Sequence, residues 1–306
     1  MMPSQLQIWL LVVIAALGGS HAVQAQANAS TPGPTPSTLD SRVRAEVANF
    51  KGKVWLSAKN LDTGATYELN GDERVRTAST IKAPIMVEAF ARVAEGKAKW
   101  GDELLLTKEK KAGGSGILFE FGDGLKLTLR DAVNLMIVVS DNTATNLVLD
   151  VLTAEAVNAR MDGLGLKKTR ALRKVFGGGV SRAGEDPALK PFGLGVSTPR
   201  EMITLLEKLE RGEVVNPAAS KEMIELLKRQ QDHRGIGRTL NGVEIGSKAG
   251  ALDHLRSDVG ILYTKRGRIA MAITCDEMPE VIWTVDNPGY LLLSRLSLLL
   301  IEGLGK

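Results

Sequence analysis

A single cysteine, Cys275, is the only thiol in the 306-residue chain. One thiol forms no internal disulfide, so stability has to come from a packed core. Cys275 closes the apolar run 269–275 and reads as packing rather than chemistry. Histidine is nearly as scarce: His21, His233 and His254 have no metal-ligand spacing, and neither CxxC nor HExxH occurs. Neither a metal nor a cofactor is therefore predicted. Aromatic residues make up 4% of the chain, and no block of five Lys or Arg accompanies the net charge of +4. Without a stacking platform or a basic tract, nucleic-acid binding is excluded. A dilute positive field suits the approach of a small anionic molecule instead. Also missing are a Walker loop and a GxSxG elbow, and Gly177-Gly178-Gly179 is a flexible stretch rather than a nucleotide fingerprint.

Charge is absent altogether from the first 38 residues. Ile8 to Leu17 is an apolar run, followed by small residues and an Ala25-Gln26-Ala27 site. This predicts a secretory signal peptide over residues 1–27, cleaved near Ala25 or Ala27, although the usual basic n-region is lacking. The run is too short to span a bilayer, so a periplasmic or secreted protein with no stable membrane insertion is expected. Residues 28–38, with three prolines among Ser, Thr and Gly, read as a linker.

From residue 39 the composition is that of a folded domain, with 44% apolar and 24% charged residues over the chain. Residues 54–60 and 66–69 alternate as strands around the turn Asp62-Thr63-Gly64. Apolar residues at helical spacing follow over 81–94, 127–139, 142–152 and 154–164. Periodicity dissolves between 170 and 197, a length that is usually functional rather than filler. Helices restart at 199–209 and 217–230, each with proline in the first turn. Strands return at 243–248, 259–265 and 268–275, before a last apolar helix over 288–300. The expected fold is α/β of the α+β type. The N- and C-terminal strands share one antiparallel sheet flanked by helices (lobe 39–80 and 210–306), and an all-α lobe (81–209) is inserted between them. No repeat is present, and a monomer is expected.

One segment carries nucleophile chemistry. In Ser79-Thr80-Ile81-Lys82, at the start of a predicted helix, residues three apart share a face, so the Lys82 amine can sit beside the Ser79 hydroxyl. Serine needs such a base, and a lysine loses its proton near neutrality when buried near other cations. The helix start adds free N–H groups that favour a developing oxyanion. An SxxK pattern also arises by chance, with Ser79 as a cap and Lys82 solvated. Two later segments accompany it: Ser140-Asp141-Asn142 at a junction between helices, and Ser247-Lys248-Ala249-Gly250-Ala251 at the close of a strand.

In this order the three segments resemble the penicillin-recognising serine enzymes, specifically class A β-lactamases, over residues 40–306. The third motif reads Lys-Ala-Gly, which keeps cation and glycine but loses the hydroxyl. The resemblance implies that Ser79 attacks a lactam carbonyl and Lys82 takes its proton, while Ser140 protonates the departing nitrogen. It further implies that Asn142 binds the substrate's amide side chain, that Lys248 attracts its carboxylate, and that Gly250 leaves room for it. The N–H groups of Ser79 and Ala251 would form the oxyanion hole. Arg234 or Arg256 would supply a second cation, a choice the sequence leaves open, and the Gly113-Gly114-Ser115-Gly116 turn opposite Ser140 would help set substrate range. The Glu-x-x-Leu-Asn loop that activates the deacylating water in that family is missing. Glu185 and Asp186, beside Pro187 and Leu189, are the nearest candidates for its base. Three functions follow: a β-lactamase, a D,D-peptidase acting on peptidoglycan stem peptides with slow deacylation, or a non-catalytic binding protein. The intact Ser/Lys/Ser/Asn/Lys set argues against the last.

Overall fold

The computed structural model describes residues 38–305. The predicted signal peptide, and the predicted linker up to residue 37, lie outside them. Five antiparallel strands form the main sheet: β1 (Lys53–Asn60), β2 (Thr66–Leu69), β8 (Glu244–Leu252), β9 (Leu255–Thr264) and β10 (Gly267–Asp276), in the order β2-β1-β10-β9-β8. N- and C-terminal strands thus share one sheet, joined by the pairing of β1 with β10. The β1–β2 turn is held by Asn60, whose Oδ1 accepts from the Asp62 and Thr63 N–H groups at 2.9 and 3.2 Å.

Alternation along β10 explains how the sheet is covered on both faces. Ile269, Met271, Ile273 and Cys275 point to one side, into a cluster with Leu56 of β1 and Leu293, Leu296 and Leu300 of α9 (Pro288–Leu304). Ala270 and Ala272 point to the other, into the larger cluster around α2 (Lys82–Ala94). Each fully buried Leu or Ile in these layers contributes about 1.5–3 kcal/mol. The Cys275 thiol is fully buried and its pKa is pushed up by desolvation, in keeping with a packing role.

A helix that the sequence reading omits, α1 (Leu39–Ala48), lies against α9. Only Val43 is buried in it, and it is fixed by the Thr38 cap on Ser41 and by an Arg42–Glu302 ion pair at 2.6 Å. Leu39, Val43 and Val47, four residues apart, pack on the cluster beside α9, and docking of this narrow stripe stabilises the helix.

The middle of the chain supplies α3 (Leu129–Val138), α4 (Asn142–Leu152) and α5 (Ala154–Gly163), packed around α2. A capping box of Thr128 and Asp131 starts α3. Helix α7 (Pro199–Glu210), assigned above to the all-α lobe, lies on the sheet: Glu207 pairs with Lys59 of β1 at 2.8 Å, and Glu210 accepts from Tyr263 of β9 at 2.8 Å. α8 (Pro217–Lys228) then leads into β8.

The aperiodic stretch 170–197 is ordered by short elements. Its ends, β6 (Arg170–Ala171) and β7 (Gly195–Ser197), pair in a ribbon with β3 (Val75–Arg76), and α6 (Arg182–Glu185) lies between them. A second ribbon joins β4 (Glu103–Leu105) to β5 (Lys126–Thr128). The side chain of Asn146 in α4 grips the stretch at Val175, accepting from its N–H at 2.9 Å and donating to its carbonyl at 3.3 Å. A single side chain thereby replaces a strand partner.

Candidate active site

Ser79 follows β3 in a 3-10 turn, Ala78–Ile81, that runs directly into α2. The approach is fixed by an ion pair between Arg76 and Asp276 of β10, whose Nε–Oδ2 distance is 2.8 Å. Ala78, next to the serine, has φ +46°, a left-handed conformation that costs a non-glycine residue about 1–3 kcal/mol. Ser79 itself is half-buried, and its hydroxyl makes no hydrogen bond among the described residues.

Lys82, three residues on, is fully buried. Its Nζ donates to the Ser140 carbonyl at 2.7 Å, to Ser140 Oγ at 3.2 Å and to Asn142 Oδ1 at 2.8 Å. Desolvation pulls its pKa well below the usual lysine value, the Lys248 cation pulls it down further, and Asp141 opposes both. The depressed pKa makes this amine lose its proton more readily than an ordinary lysine, as a base must before it can accept one.

The Ser140–Asn142 segment reaches this amine from the junction of α3 and α4. Ser140 has φ +55°, which turns the chain between the two helices. Asp141 is completely buried and caps α4 through Ala144 N–H at 2.8 Å. Its other oxygen accepts from Ile117 and Leu118 N–H at 2.6 and 2.8 Å. That carboxylate pins the loop 113–118 over the site, and Gly116 is required beside it: at φ +91°, a Cβ there would stand 2.2 Å from Asp141 Oδ2. Asp141→Ala would strand three N–H donors, each worth about 1–3 kcal/mol when buried. Chemical denaturation is expected to show a loss of at least about 3 kcal/mol. Asn142 is held from both ends, with Nδ2 donating to the Gly113 carbonyl at 2.9 Å while Oδ1 accepts from Lys82 Nζ at 2.8 Å.

Lys248 enters from the opposite wall. The Ser247–Ala251 segment lies within β8, which runs on to Leu252, rather than at the strand's end as the sequence suggests. Lys248 is fully buried, donates to Ser140 Oγ at 3.0 Å, and has its pKa lowered by desolvation to about 8, with Asp258 and Asp232 acting in the opposite direction. Ser140 Oγ therefore accepts from two amines at once, leaving its own proton free to be donated.

β8 is the outer strand of the sheet, and its free edge is met by Gln230. That side chain accepts from Ala249 N–H at 2.7 Å and from Lys248 at 3.3 Å, and donates to Ser247 Oγ at 2.8 Å. Alternation along the ladder then directs the Ala251 N–H off the same edge. At Gly250 the missing Cβ serves the protein's own packing: one there would stand 2.8 Å from the Thr77 carbonyl and 3.1 Å from Ser79 N. The space expected to admit substrate is filled by the backbone that carries Ser79.

The two arginines differ. Arg256 is buried, donating to the Leu252, Leu255 and Ile282 carbonyls and stacked on Trp283 at 4.6 Å and Tyr290 at 5.0 Å. Arg234 is partly exposed, paired with Asp232 at 2.8 Å and lying over Tyr290 at 4.7 Å. With Nη1 and Nη2 bound to carbonyls and Nε buried without a partner among the described residues, Arg256 is held in place, so Arg234 is the cation with exposed surface. Glu185 and Asp186, both exposed, lie at the end of α6, where Asp186 accepts from Ala188 N–H at 2.9 Å. No hydrogen bond or ion pair joins either carboxylate to Ser79, Lys82, Ser140 or Lys248 among the described residues. Gln230 and Asn146 escaped the sequence reading because each acts by binding backbone, a role with no sequence signal.

This geometry has counterparts in known proteins. A beta-lactamase from Sphaerobacter thermophilus superposes with a TM-score of 0.75 at 31% identity, covering 87% of this chain and 96% of that one. A mutant of PBP-A, solved as an acyl-enzyme complex with penicillin G, superposes with a TM-score of 0.75 at 26% identity, covering 86% and 95%. Beta-lactamase AER-1 of Aeromonas hydrophila is 25% identical over 201 residues, and the match spans 62% of each protein, just under two thirds of that relative's length. Residues 38–304 match the beta-lactamase enzyme family as a whole. With the fold, the two amines converging on Ser140 and a match of this extent, the chain belongs to the beta-lactamase enzyme family.

Proposed function

We propose that the protein is a serine hydrolase that β-lactams acylate at Ser79. The observation that carries this reading is the buried Lys82 amine, depressed in pKa and three residues from the Ser79 hydroxyl, which makes no hydrogen bond among the described residues. Neutral Lys82 takes the Ser79 proton as Oγ attacks the lactam carbonyl, and the Ser79 and Ala251 N–H groups receive the oxyanion. Collapse breaks the C–N bond, and Ser140 gives its proton to the departing nitrogen. Protonated Lys82 then resupplies Ser140 across their 3.2 Å hydrogen bond. Lys248, as ammonium, attracts the substrate carboxylate, and Asn142 is placed for its amide. The PBP-A mutant caught with penicillin G supports acyl-enzyme formation on this fold.

Release of the acyl group has one visible base. With Glu185 and Asp186 exposed and, among the described residues, bonded to none of the cluster's residues, Lys82 itself activates the water, after returning its proton to Ser140. Hydrolysis on this route is slower than acylation. Mixing enzyme with a chromogenic cephalosporin should therefore give a burst of one equivalent, then slower turnover. Intact-protein mass should show the adduct on Ser79. Turnover without a burst or an adduct would reject the scheme. A single equivalent with no further turnover would favour the second reading, a D,D-peptidase of peptidoglycan stem peptides trapped by β-lactams. The uncharged apolar leader supports action outside the cytoplasm.

A further inference from the structure

Phe176 is 76% exposed, an unusual position for a phenylalanine with no packing to gain. Its backbone is also left-handed, with φ +61°, which is strained for an aromatic residue. The surrounding chain nevertheless fixes it. Val175, immediately before it, is gripped by Asn146 on both its N–H and its carbonyl. On the other side, Lys174 N–H donates to the Gly178 carbonyl at 2.8 Å and Gly177 N–H to the Lys174 carbonyl at 3.1 Å. Phe176 thus stands at the tip of a closed turn, exposed and strained but held.

The tip of the ring reaches Gly114 beside Asn142. Phe176 Cζ and Asn142 Nδ2 each lie 3.6 Å from the one point where a Cβ on Gly114 would stand. The edge of the ring and the amide of Asn142 therefore flank the same glycine. Beside it the ring of Phe119, 47% exposed, lies 3.7 Å from the corresponding point on Gly113. Two phenyl groups thus border a turn that has no side chain at either residue. Phe176 also borders a cavity of about 270 Å³ whose other walls include Lys110, Lys111, Asp150 and Lys174. Past the ring the surface becomes charged, so the apolar contact is no longer than one aromatic group.

We infer that Phe176 is a specificity-determining wall that receives an aromatic or similarly compact apolar acyl group of the substrate, just beyond the amide held by Asn142. This rests on the acylation reading above and names its substrate class: lactams, or acyl-peptides, carrying a ring on the amide. Offset or edge contact with the Phe176 ring gives such a group an attraction that a methyl lacks.

The test compares second-order acylation rate constants, followed by intact-protein mass, for benzylpenicillin and for 6-acetamidopenicillanic acid. The second compound keeps the amide and replaces the ring-bearing group with methyl. The wild type should acylate about tenfold faster with benzylpenicillin. Phe176→Ala should bring that ratio to about one while leaving the acetamido compound within about twofold, and Phe176→Tyr should retain the preference. An unchanged ratio in Phe176→Ala, with the melting temperature unaltered, overturns the wall while leaving acylation of Ser79 intact. A wild type that forms no adduct with either compound overturns the acylation reading and the wall with it.

Discussion

Replacing Ser79 with alanine is expected to abolish the adduct seen by intact-protein mass and to lower hydrolysis of a chromogenic cephalosporin by at least about 10³-fold. The size of the effect follows from the absence of a second nucleophile: Ser140 Oγ is engaged by two amines, and Cys275 is buried in the sheet with its thiol pKa raised. Residual hydrolysis would come from the oxyanion donors and the binding groups alone. The substitution is mild for the fold, since Ser79 is only half-buried and its hydroxyl bonds to nothing among the described residues. Hydrolysis unchanged in Ser79→Ala would place the chemistry elsewhere. Ser140→Ala should behave differently, slowing acylation through the lost proton donor while a stoichiometric adduct still forms on Ser79.

The second large effect is on the pH profile of acylation, where the two buried lysines act in opposite directions. Lys82 works as the neutral amine, so the rate falls as pH drops through its depressed pKa and the amine takes up a proton. Lys248 works as the ammonium, and desolvation has brought its pKa down to about 8. Above that pH it loses the charge that attracts the substrate carboxylate, so kcat/KM should fall by about tenfold per pH unit, mostly through KM. Lys248→Ala should remove this alkaline limb and lower kcat/KM below pH 8 by about 10–100-fold, the worth of one charge-assisted hydrogen bond of about 1.5–3 kcal/mol. Lys82→Met should depress kcat by about 10³-fold and flatten the acid limb. An alkaline limb that persists in Lys248→Ala would assign that titration to another group.

The contrast between these lysines and the arginines shows how far residue type alone can be read. Lys82 and Lys248 stand in short motifs whose partners lie at fixed spacing along a helix or a strand, and the structure brings both to Ser140 Oγ, at 3.2 and 3.0 Å. Arg234 and Arg256 have no such frame. Their difference arises from which carbonyls, rings and carboxylates surround them, and those come from β8, β9, the segment around Ile282 and α9. The same limit applies to Gly250, where a glycine expected to admit a ligand instead admits the Thr77–Ser79 backbone.

By itself the sequence determined the strand and helix periodicities, the shared antiparallel sheet, and the segments holding Ser79, Lys82, Ser140, Asn142 and Lys248. These are properties of local pattern, in which each residue's neighbours along the chain decide its orientation. Only the tertiary structure decided that α1 docks on α9, that α7 lies on the sheet, and that Gln230 and Asn146 replace strand partners. It alone also left Glu185 and Asp186 exposed, with no hydrogen bond or ion pair to either lysine among the described residues, and set Phe176 beside Gly114. In each case the deciding contact joins residues remote along the chain, and neither periodicity nor a short motif encodes a partner at that distance.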